Sequence, residues 1–325
     1  MKVVISDYVW PNIDIETNFF KDKNINLVVS KNKSDLKEQI ADADGLLFCF
    51  ETIDEEILKL GKKLKVAQRY GIGVDNIDID VATQLGIVVA NIPDYCIDEV
   101  SDHAISMILS LNRVLHRDSD LVKAGKWNEV KKDKRVYRLS EATLGLLGYG
   151  RIGKRISQKA LSFGLNVIAY DPYIKQEDVD GVKIYDLNQV LSKSDIISLH
   201  LPLTKETHHI INYEQFNFMK DNSILINVSR GGLINEEALI KNLSNGKIRG
   251  VGLDVIESTI DKSNKLFDFD NVIITPHTAF FSQESSEELQ LRSSEQLYNT
   301  LIGIKPKFLI NPDVLKNPNV DLKWT

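Results

Sequence analysis

A glycine-rich segment, Thr143 to Asp171, constrains the fold of this chain more than any other stretch. An apolar run that predicts a buried strand leads into Gly148, Gly150 and Gly153. A helical pattern of apolar residues follows, and a second apolar run ends at Asp171. A strand, glycines spaced G-x-G-x-x-G, a helix and a second strand together predict a βαβ unit that binds a dinucleotide.

Each part of this segment has its own predicted task. Gly148 permits a tight turn, Gly150 lets the backbone approach a pyrophosphate, and Gly153 lets the helix pack closely on the strand. The helix N-terminus offers unpaired N–H groups to the phosphates. Asp171 is placed to bind both hydroxyls of an adenine ribose and would repel a 2′-phosphate, so NAD is predicted over NADP. A glycine-rich turn in some other βαβ unit is the alternative.

Length and charge limit the class of protein. A chain of 325 residues favours two domains, and a net charge of −6 argues against a nucleic-acid partner. The basic run Lys131–Arg135 is predicted to be a solvated loop or face. Cys49 and Cys96 form no metal or C-x-x-C pattern and are typical of a reduced, intracellular protein. We predict no signal peptide, no membrane span and no metal site, and expect a cytoplasmic protein.

Strand and helix patterns alternate along the whole chain. The pattern in residues 1–93 predicts a parallel α/β sheet, and the apolar runs beyond Asp171 predict further strands of a second sheet. We therefore predict an α/β fold with two Rossmann-like, doubly wound parallel-sheet domains and a cleft between them. The helical pattern Ser282–Gly303 is expected to return the chain to the first domain. The predicted domains are 1–95 plus 290–325 (substrate-binding, flavodoxin-like) and 96–289 (NAD-binding).

Three segments with chemically useful side chains follow strands of the second sheet. Arg230, in NVSRGG, can hold a carboxylate through two parallel hydrogen bonds, although a capping or salt-bridging role is the alternative. Asp254, in GLDV, can support the nicotinamide end of a cofactor or orient a neighbour. His277, in ITPHTAF, can give a proton to a carbonyl oxygen as hydride arrives, although a single histidine is more often structural. His200 can line the cofactor site. No functional role is predicted for His103, His116, His208 and His209.

A loop in the first domain carries a pair of glycines after a strand. In RYGIGVDNID, which begins at Arg69, Gly71 and Gly73 can present backbone N–H groups to a small anion. An ordinary turn is the alternative. Opposed to Arg230 and His277 across a cleft, this loop becomes a candidate clamp for a 2-oxo acid.

Together these segments resemble the NAD-dependent D-isomer-specific 2-hydroxyacid dehydrogenase family, which includes the phosphoglycerate dehydrogenases. The likeness covers essentially the whole chain, and TPHTAFFSQES is most similar to the C-terminal-binding-protein branch. The resemblance implies two Rossmann-like domains and a homodimer docked through the cofactor domains. It also implies reversible NADH-linked reduction of a small 2-oxo acid to its D-2-hydroxy acid.

The resemblance also implies roles for individual residues. Arg230 would bind the substrate carboxylate and carbonyl, and His277 would be the acid–base residue. The implied substrate contacts are Arg69, Gly71, Ile72, Gly73 and Phe280. The implied cofactor contacts are Gly148, Tyr149, Gly150, Arg151, Ile152, Gly153, Asp171, Pro172, His200, Pro202, Thr207, Val228, Ser229 and Asp254.

One position departs from the family. The family's catalytic glutamate falls at Thr259 here, while Glu257 stands two residues earlier and Asp261 two residues later. Glu257 is the candidate replacement. Without a carboxylate partner the histidine is expected to be less protonated at neutral pH, so reduction should be faster in acid. We expect a working dehydrogenase; the alternative is a weakly active or inactive NAD(H)-sensing binding or scaffold protein on the same fold.

Overall fold

The computed structural model of the chain describes residues 1–129, 136–175, 178–320 and 322–323. The chain divides into two compact units, Met1–Cys96 with Ser282–Thr325 (unit 1) and Ile97–Phe281 (unit 2). The boundary predicted between residues 289 and 290 falls inside a helix, Gln283–Leu301, that belongs wholly to unit 1. The basic run predicted at 131–135 lies outside the described residues.

The helices are short except for two. In chain order they are α1 (Asp14–Phe20), α2 (Lys33–Gln39), α3 (Glu55–Leu60), α4 (Ile79–Gln84), α5 (Ile97–Arg113), α6 (Leu115–Lys123), α7 (Arg151–Ser162), α8 (Leu187–Lys193), α9 (Tyr213–Phe218), α10 (Glu236–Ser244) and α11 (Gln283–Leu301). Side chains at Asn32, Asp54 and Asp78 accept a hydrogen bond from the backbone three residues on, which fixes where α2, α3 and α4 begin.

Unit 1 is built on a five-stranded parallel sheet. Its strands are β1 (Lys2–Ile5), β2 (Asn26–Val29), β3 (Gly45–Phe48), β4 (Val66–Arg69) and β5 (Val88–Ala90). They lie in the order β2-β1-β3-β4-β5, which is the flavodoxin-like order. Every residue of β3, β4 and β5 is buried, as in sheets covered by helices on both faces.

Unit 2 contains an eight-stranded sheet. Its strands are β6 (Thr143–Leu147), β7 (Asn166–Tyr170), β8 (Asp178–Val179), β9 (Val182–Ile184), β10 (Ile196–Leu199), β11 (Ser223–Asn227), β12 (Ile248–Leu253) and β13 (Val272–Ile274). The order is β13-β12-β11-β10-β6-β7-β9-β8, and only β8 is antiparallel to its neighbour. The strand order reverses between β6 and β10, the place where doubly wound sheets bind ligands.

Both sheets confirm the predicted fold class, two parallel-sheet α/β domains. The β8–β9 hairpin was not predicted, because strands of two and three residues show no measurable period. Among the described residues, no helix combines the length and the apolar character needed to cross a membrane.

Candidate active site

The glycine loop after β6 has the geometry of a phosphate-binding turn. Gly148 has a φ of 97°, a conformation that favours glycine, and a Cβ there would lie 2.5 Å from the His200 carbonyl oxygen. A Cβ on Gly153 would lie 2.4 Å from the Gly148 carbonyl oxygen. The helix can therefore pack this closely against the turn only because residue 153 is a glycine. A Cβ on Gly150 would meet no protein atom within 4 Å. This open space lies at the N-terminus of α7, whose first turn has no acidic residue.

Asp171 lies beside this glycine loop and accepts a hydrogen bond from it. It follows β7, and its Oδ2 accepts a hydrogen bond from the Tyr149 N–H at 3.0 Å. Its Oδ1 accepts from the Tyr173 N–H at 3.0 Å. The carboxylate is therefore held in one orientation beside the glycine turn, and each oxygen keeps a lone pair for a ribose hydroxyl. Loop and acid together fit the adenosine diphosphate part of NAD.

His200 follows β10 on the other side of the switch point. Its backbone N–H donates to the Leu147 carbonyl at 2.7 Å, and its ring Nε2 lies 2.8 Å from the Ser198 hydroxyl oxygen. Burial lowers the pKa of His200 to about 3, so the ring is neutral at physiological pH. A neutral, fixed ring can line a cofactor site but supplies no proton.

The other predicted cofactor contacts lie in the segments that follow β6, β7, β10 and β11. Arg151 and Ile152 begin α7, Pro172 follows β7, Pro202 and Thr207 lie after β10, and Val228 and Ser229 lie after β11. The Tyr149 ring is buried, and its hydroxyl lies 3.2 Å from the Ser157 hydroxyl. The side chain of Tyr149 thus packs against α7.

Arg230 lies three residues beyond the end of β11, immediately before two glycines. Its carbonyl accepts from the Asn227 side chain at 2.8 Å, and its Nη1 donates to the Ser229 carbonyl at 2.8 Å. A Cβ on Gly231 would lie 2.2 Å from the carbonyl carbon of Ile256. The turn after Arg230 is therefore packed tightly against the segment that follows β12.

The turn that carries His277 is built around the buried side chain of Asp254. The carboxylate of Asp254 accepts from the Thr275 hydroxyl at 2.6 Å and from the Thr278 and Ala279 N–H groups, both at 2.9 Å. The His277 N–H donates to the Asp254 carbonyl at 2.9 Å, and the residue has a left-handed φ of 54°. Asp254 thus links the ends of β12 and β13 and fixes the backbone of His277.

Two further side chains surround this turn. Phe280 presents its ring edge-on to the His277 ring, with centroids 6.2 Å apart and planes at 82°. His103 of α5 places its Nε2 2.9 Å from the Thr275 hydroxyl and 3.7 Å from Asp254 Oδ1. Sequence reasoning missed His103, since it precedes its partner by 172 residues and sits in an ordinary helical pattern.

Glu257, the candidate replacement for the family glutamate, contacts two other histidines. Its Oε1 lies 3.2 Å from His208 Nε2, and its Oε2 lies 2.8 Å from His209 Nε2. Thr259 occupies the family position in the same segment. Neither histidine was expected to matter, because an exposed His–His pair carries no signal of its own.

The loop Arg69–Gly73 belongs to unit 1 and follows β4. Gly71 has a φ of 134°, and a Cβ there would collide with the Arg69 guanidinium. The Asn91 side chain donates to the Ile72 carbonyl at 2.6 Å, and the Arg69 guanidinium donates to the Tyr70 carbonyl. Side-chain and backbone contacts within unit 1 therefore define the shape of this loop.

Comparisons with known proteins identify the family that this chain matches. Residues 105–279, more than half of the chain, match the family model described as D-isomer specific 2-hydroxyacid dehydrogenase, NAD binding domain. A D-3-phosphoglycerate dehydrogenase of Methanocaldococcus jannaschii is 38% identical over 88% of this chain, which spans 55% of that protein. A glyoxylate reductase of Thermococcus litoralis is 36% identical over 86% of this chain and 87% of that protein.

A solved structure gives the same result. The crystal structure of D-lactate dehydrogenase from Aquifex aeolicus, complexed with NAD and lactic acid, superimposes with a TM-score of 0.84. It is 31% identical, and the match covers 97% of each chain. The predicted family and the prediction of NAD as cofactor are thereby confirmed. The chain belongs to the D-isomer specific 2-hydroxyacid dehydrogenases, a family of NAD-dependent oxidoreductases.

Proposed function

We propose that this protein reversibly reduces a small 2-oxo acid to the D-2-hydroxy acid, with NADH as the reductant. One observation carries the proposal: the glycine loop, Arg230 and His277 follow β6, β11 and β13, which are parallel strands of one sheet. Because parallel strands end at the same edge, a cofactor site, a cation and a proton donor share that edge.

The roles follow from the chemistry of each group. NADH, when bound, supplies the hydride. The Arg230 guanidinium binds the substrate carboxylate and polarises the adjacent carbonyl. His277 donates a proton to the carbonyl oxygen in reduction and removes it in oxidation. Asp254 positions His277 by holding the turn from 275 to 279.

The Glu257 carboxylate has no role in the proposed proton transfer. Its Oε1 contacts His208 and its Oε2 contacts His209, so we assign the proton transfer to His277 and substrate binding to Arg230, with no role for Glu257 in either. This arrangement, with Thr259 at the family position, is also what favours the second candidate, a binding or scaffold protein that senses NAD(H) and turns over slowly. The two candidates share cofactor binding and differ in turnover.

The remaining parts of the proposal concern the substrate side and the assembly. The loop Arg69–Gly73 donates to the substrate carboxylate, and Phe280 limits the space beside His277. We further propose a homodimer in the cytoplasm. Sedimentation of the purified protein tests the dimer, since a single species of monomer mass would contradict it.

The decisive experiment is NADH oxidation by purified protein with a panel of 2-oxo acids. The panel contains glyoxylate, hydroxypyruvate, branched-chain 2-oxo acids, phosphohydroxypyruvate and phosphonopyruvate. His277→Asn is the test variant, because asparagine tolerates the left-handed backbone at this position. His116→Gln is the control, since His116 lies in the same unit and its Nε2 contacts the Asp270 carbonyl, away from the proposed site residues.

We expect turnover with at least one acid, loss of at least about a hundredfold in kcat for His277→Asn, and no change for His116→Gln.

Arg230→Lys should raise KM and lower kcat, because lysine keeps the charge but not the paired hydrogen bonds. Arg69→Gln should raise KM for the acid while leaving the Kd for NADH unchanged. Tight NADH binding without reduction of any acid would favour the binding protein instead.

A further inference from the structure

Two adjacent histidines and one glutamate converge at the surface of unit 2. The Nε2 atoms of His208 and His209 lie 3.2 Å and 2.8 Å from the two oxygens of Glu257. The three donor atoms lie within 4.8 Å of one another. The side chains are 50%, 29% and 36% exposed, so an ion from solution has direct access.

Contacts of the backbone on both segments bring these three side chains together. Successive residues usually point in different directions, but His209 has a left-handed φ of 50°, and the two rings stack with centroids 3.9 Å apart. The His209 N–H donates to the Gly232 carbonyl at 2.8 Å. On the other side, the Glu257 and Ser258 N–H groups both donate to the Glu236 carboxylate.

The distances suit a small transition-metal ion. Zinc bonds to imidazole nitrogen and carboxylate oxygen are about 2.0–2.2 Å, so tetrahedral ligand atoms lie roughly 3.3 Å apart. The two His–Glu separations are 3.2 Å and 2.8 Å, and all three ligand atoms lie within 4.8 Å of one another. An ion is therefore admitted when the stacked imidazole rings rotate until both Nε2 lone pairs point at it. Two imidazoles and one carboxylate favour Zn²⁺, Ni²⁺ or Cu²⁺ over Mg²⁺ and Ca²⁺, which prefer oxygen ligands.

We propose that His208, His209 and Glu257 form a binding site for a divalent transition-metal ion such as Zn²⁺ or Ni²⁺. The ion ties the loop after β10 to the segment after β12, and solvent completes its coordination. The site adjoins the turn after Arg230, since a Cβ on Gly231 would lie 2.4 Å from the Glu257 backbone nitrogen. Its role is to fix these two loops, and it is independent of the proposed reduction.

Calorimetric titration of tag-free, chelator-treated full-length protein tests the site. ZnCl₂, NiCl₂ and MgCl₂ are the titrants, and the variants are His208→Gln, His209→Asn and Glu257→Gln. His209→Asn retains a residue that tolerates the left-handed backbone. His116→Gln is the matched control, because it removes a histidine of the same unit outside the cluster. Thermal unfolding of each metal-free variant establishes that it is folded.

We expect one equivalent of Zn²⁺ or Ni²⁺ to bind, with no saturable binding of Mg²⁺. Each of the three substitutions should weaken binding by at least about tenfold, and His116→Gln should not. Bound Co²⁺ should give a visible absorption that is lost in the same three variants. The proposal is overturned if neither ion binds at millimolar concentration, or if the folded variants bind as tightly as the unmodified protein.

Discussion

At the residue scale, the proposed chemistry depends on a histidine whose backbone is fixed by hydrogen bonds within the protein. His277 is held in a left-handed conformation by hydrogen bonds to the carbonyls of Asp254 and Thr275. Such conformations cost free energy in a non-glycine residue and persist only where the surroundings impose them. Here the buried Asp254 carboxylate imposes them by accepting three hydrogen bonds from the same turn.

The proposed proton role of His277 predicts opposite pH dependences for reduction and oxidation. Reduction requires the imidazolium, whereas oxidation requires the neutral imidazole. Histidine is the side chain whose charge ordinarily changes between about pH 5 and pH 8, so the protonated fraction of a histidine acid–base group falls as the pH rises from 6 to 8. We expect reductive kcat/KM to fall several-fold over this range and oxidative kcat/KM to rise. A flat profile in both directions, with NADH affinity constant, would exclude His277 as the group that titrates.

A buried acid in unit 1 predicts a pH-dependent stability. Burial raises the pKa of Glu16, whose Oε1 accepts from the Tyr70 hydroxyl at 2.8 Å. A carboxyl whose pKa is raised on folding stabilises at low pH, and this contribution is lost as pH rises through the folded-state pKa. We therefore expect the free energy of unfolding to decline less between pH 5 and pH 8 in Glu16→Gln than in the unmodified protein. Urea unfolding at both pH values measures this, and equal declines would contradict it.

At the element scale, two glycines of the loop after β6 have different tasks: Gly153 is needed for packing, and Gly150 leaves space for the cofactor. Gly153→Ala places a Cβ against the Gly148 carbonyl oxygen, a backbone atom that cannot move aside without shifting the turn. Gly150→Ala places a Cβ in open space with an ordinary negative φ. The two glycines therefore serve different purposes although both belong to one fingerprint.

These two substitutions give a paired prediction. Gly153→Ala should lower the free energy of unfolding by about 1–3 kcal/mol and also weaken NADH binding. Gly150→Ala should leave stability within about 0.5 kcal/mol and still weaken NADH binding, because its Cβ occupies the space left for the pyrophosphate. Urea unfolding and fluorescence titration with NADH measure both effects. Unchanged NADH affinity in Gly150→Ala would exclude this path for the cofactor.

At the scale of the whole molecule, cofactor binding should stabilise the folded chain by mass action. At an NADH concentration of 100 times Kd, the expected stabilisation is about 2.7 kcal/mol. NADPH should give a smaller rise in Tm, because the Asp171 carboxylate repels the 2′-phosphate. Asp171→Ala should reduce the difference between the two cofactors. Equal shifts with both in the unmodified protein would contradict the predicted preference for NAD.

The sequence by itself determined the class of fold and the cofactor, and it supplied most residues of the candidate site as predictions. Alternating apolar runs predict parallel sheets, because a strand buried on both faces must be apolar throughout. The glycine spacing and Asp171 are local features, since the turn, the helix N-terminus and the following strand are contiguous in the chain. Arg230 and His277 were found because they follow recognisable strands.

Only the tertiary structure decided which distant side chains meet. The contact of His103 with Thr275 joins residues 172 apart, and Glu257 meets His208 and His209 across 49 and 48 residues. A local sequence pattern does not predict such contacts, because they depend on the order of the strands and on the direction in which each loop leaves the sheet. For that reason the His103–Thr275 contact and the His208–His209–Glu257 cluster emerged from the fold alone.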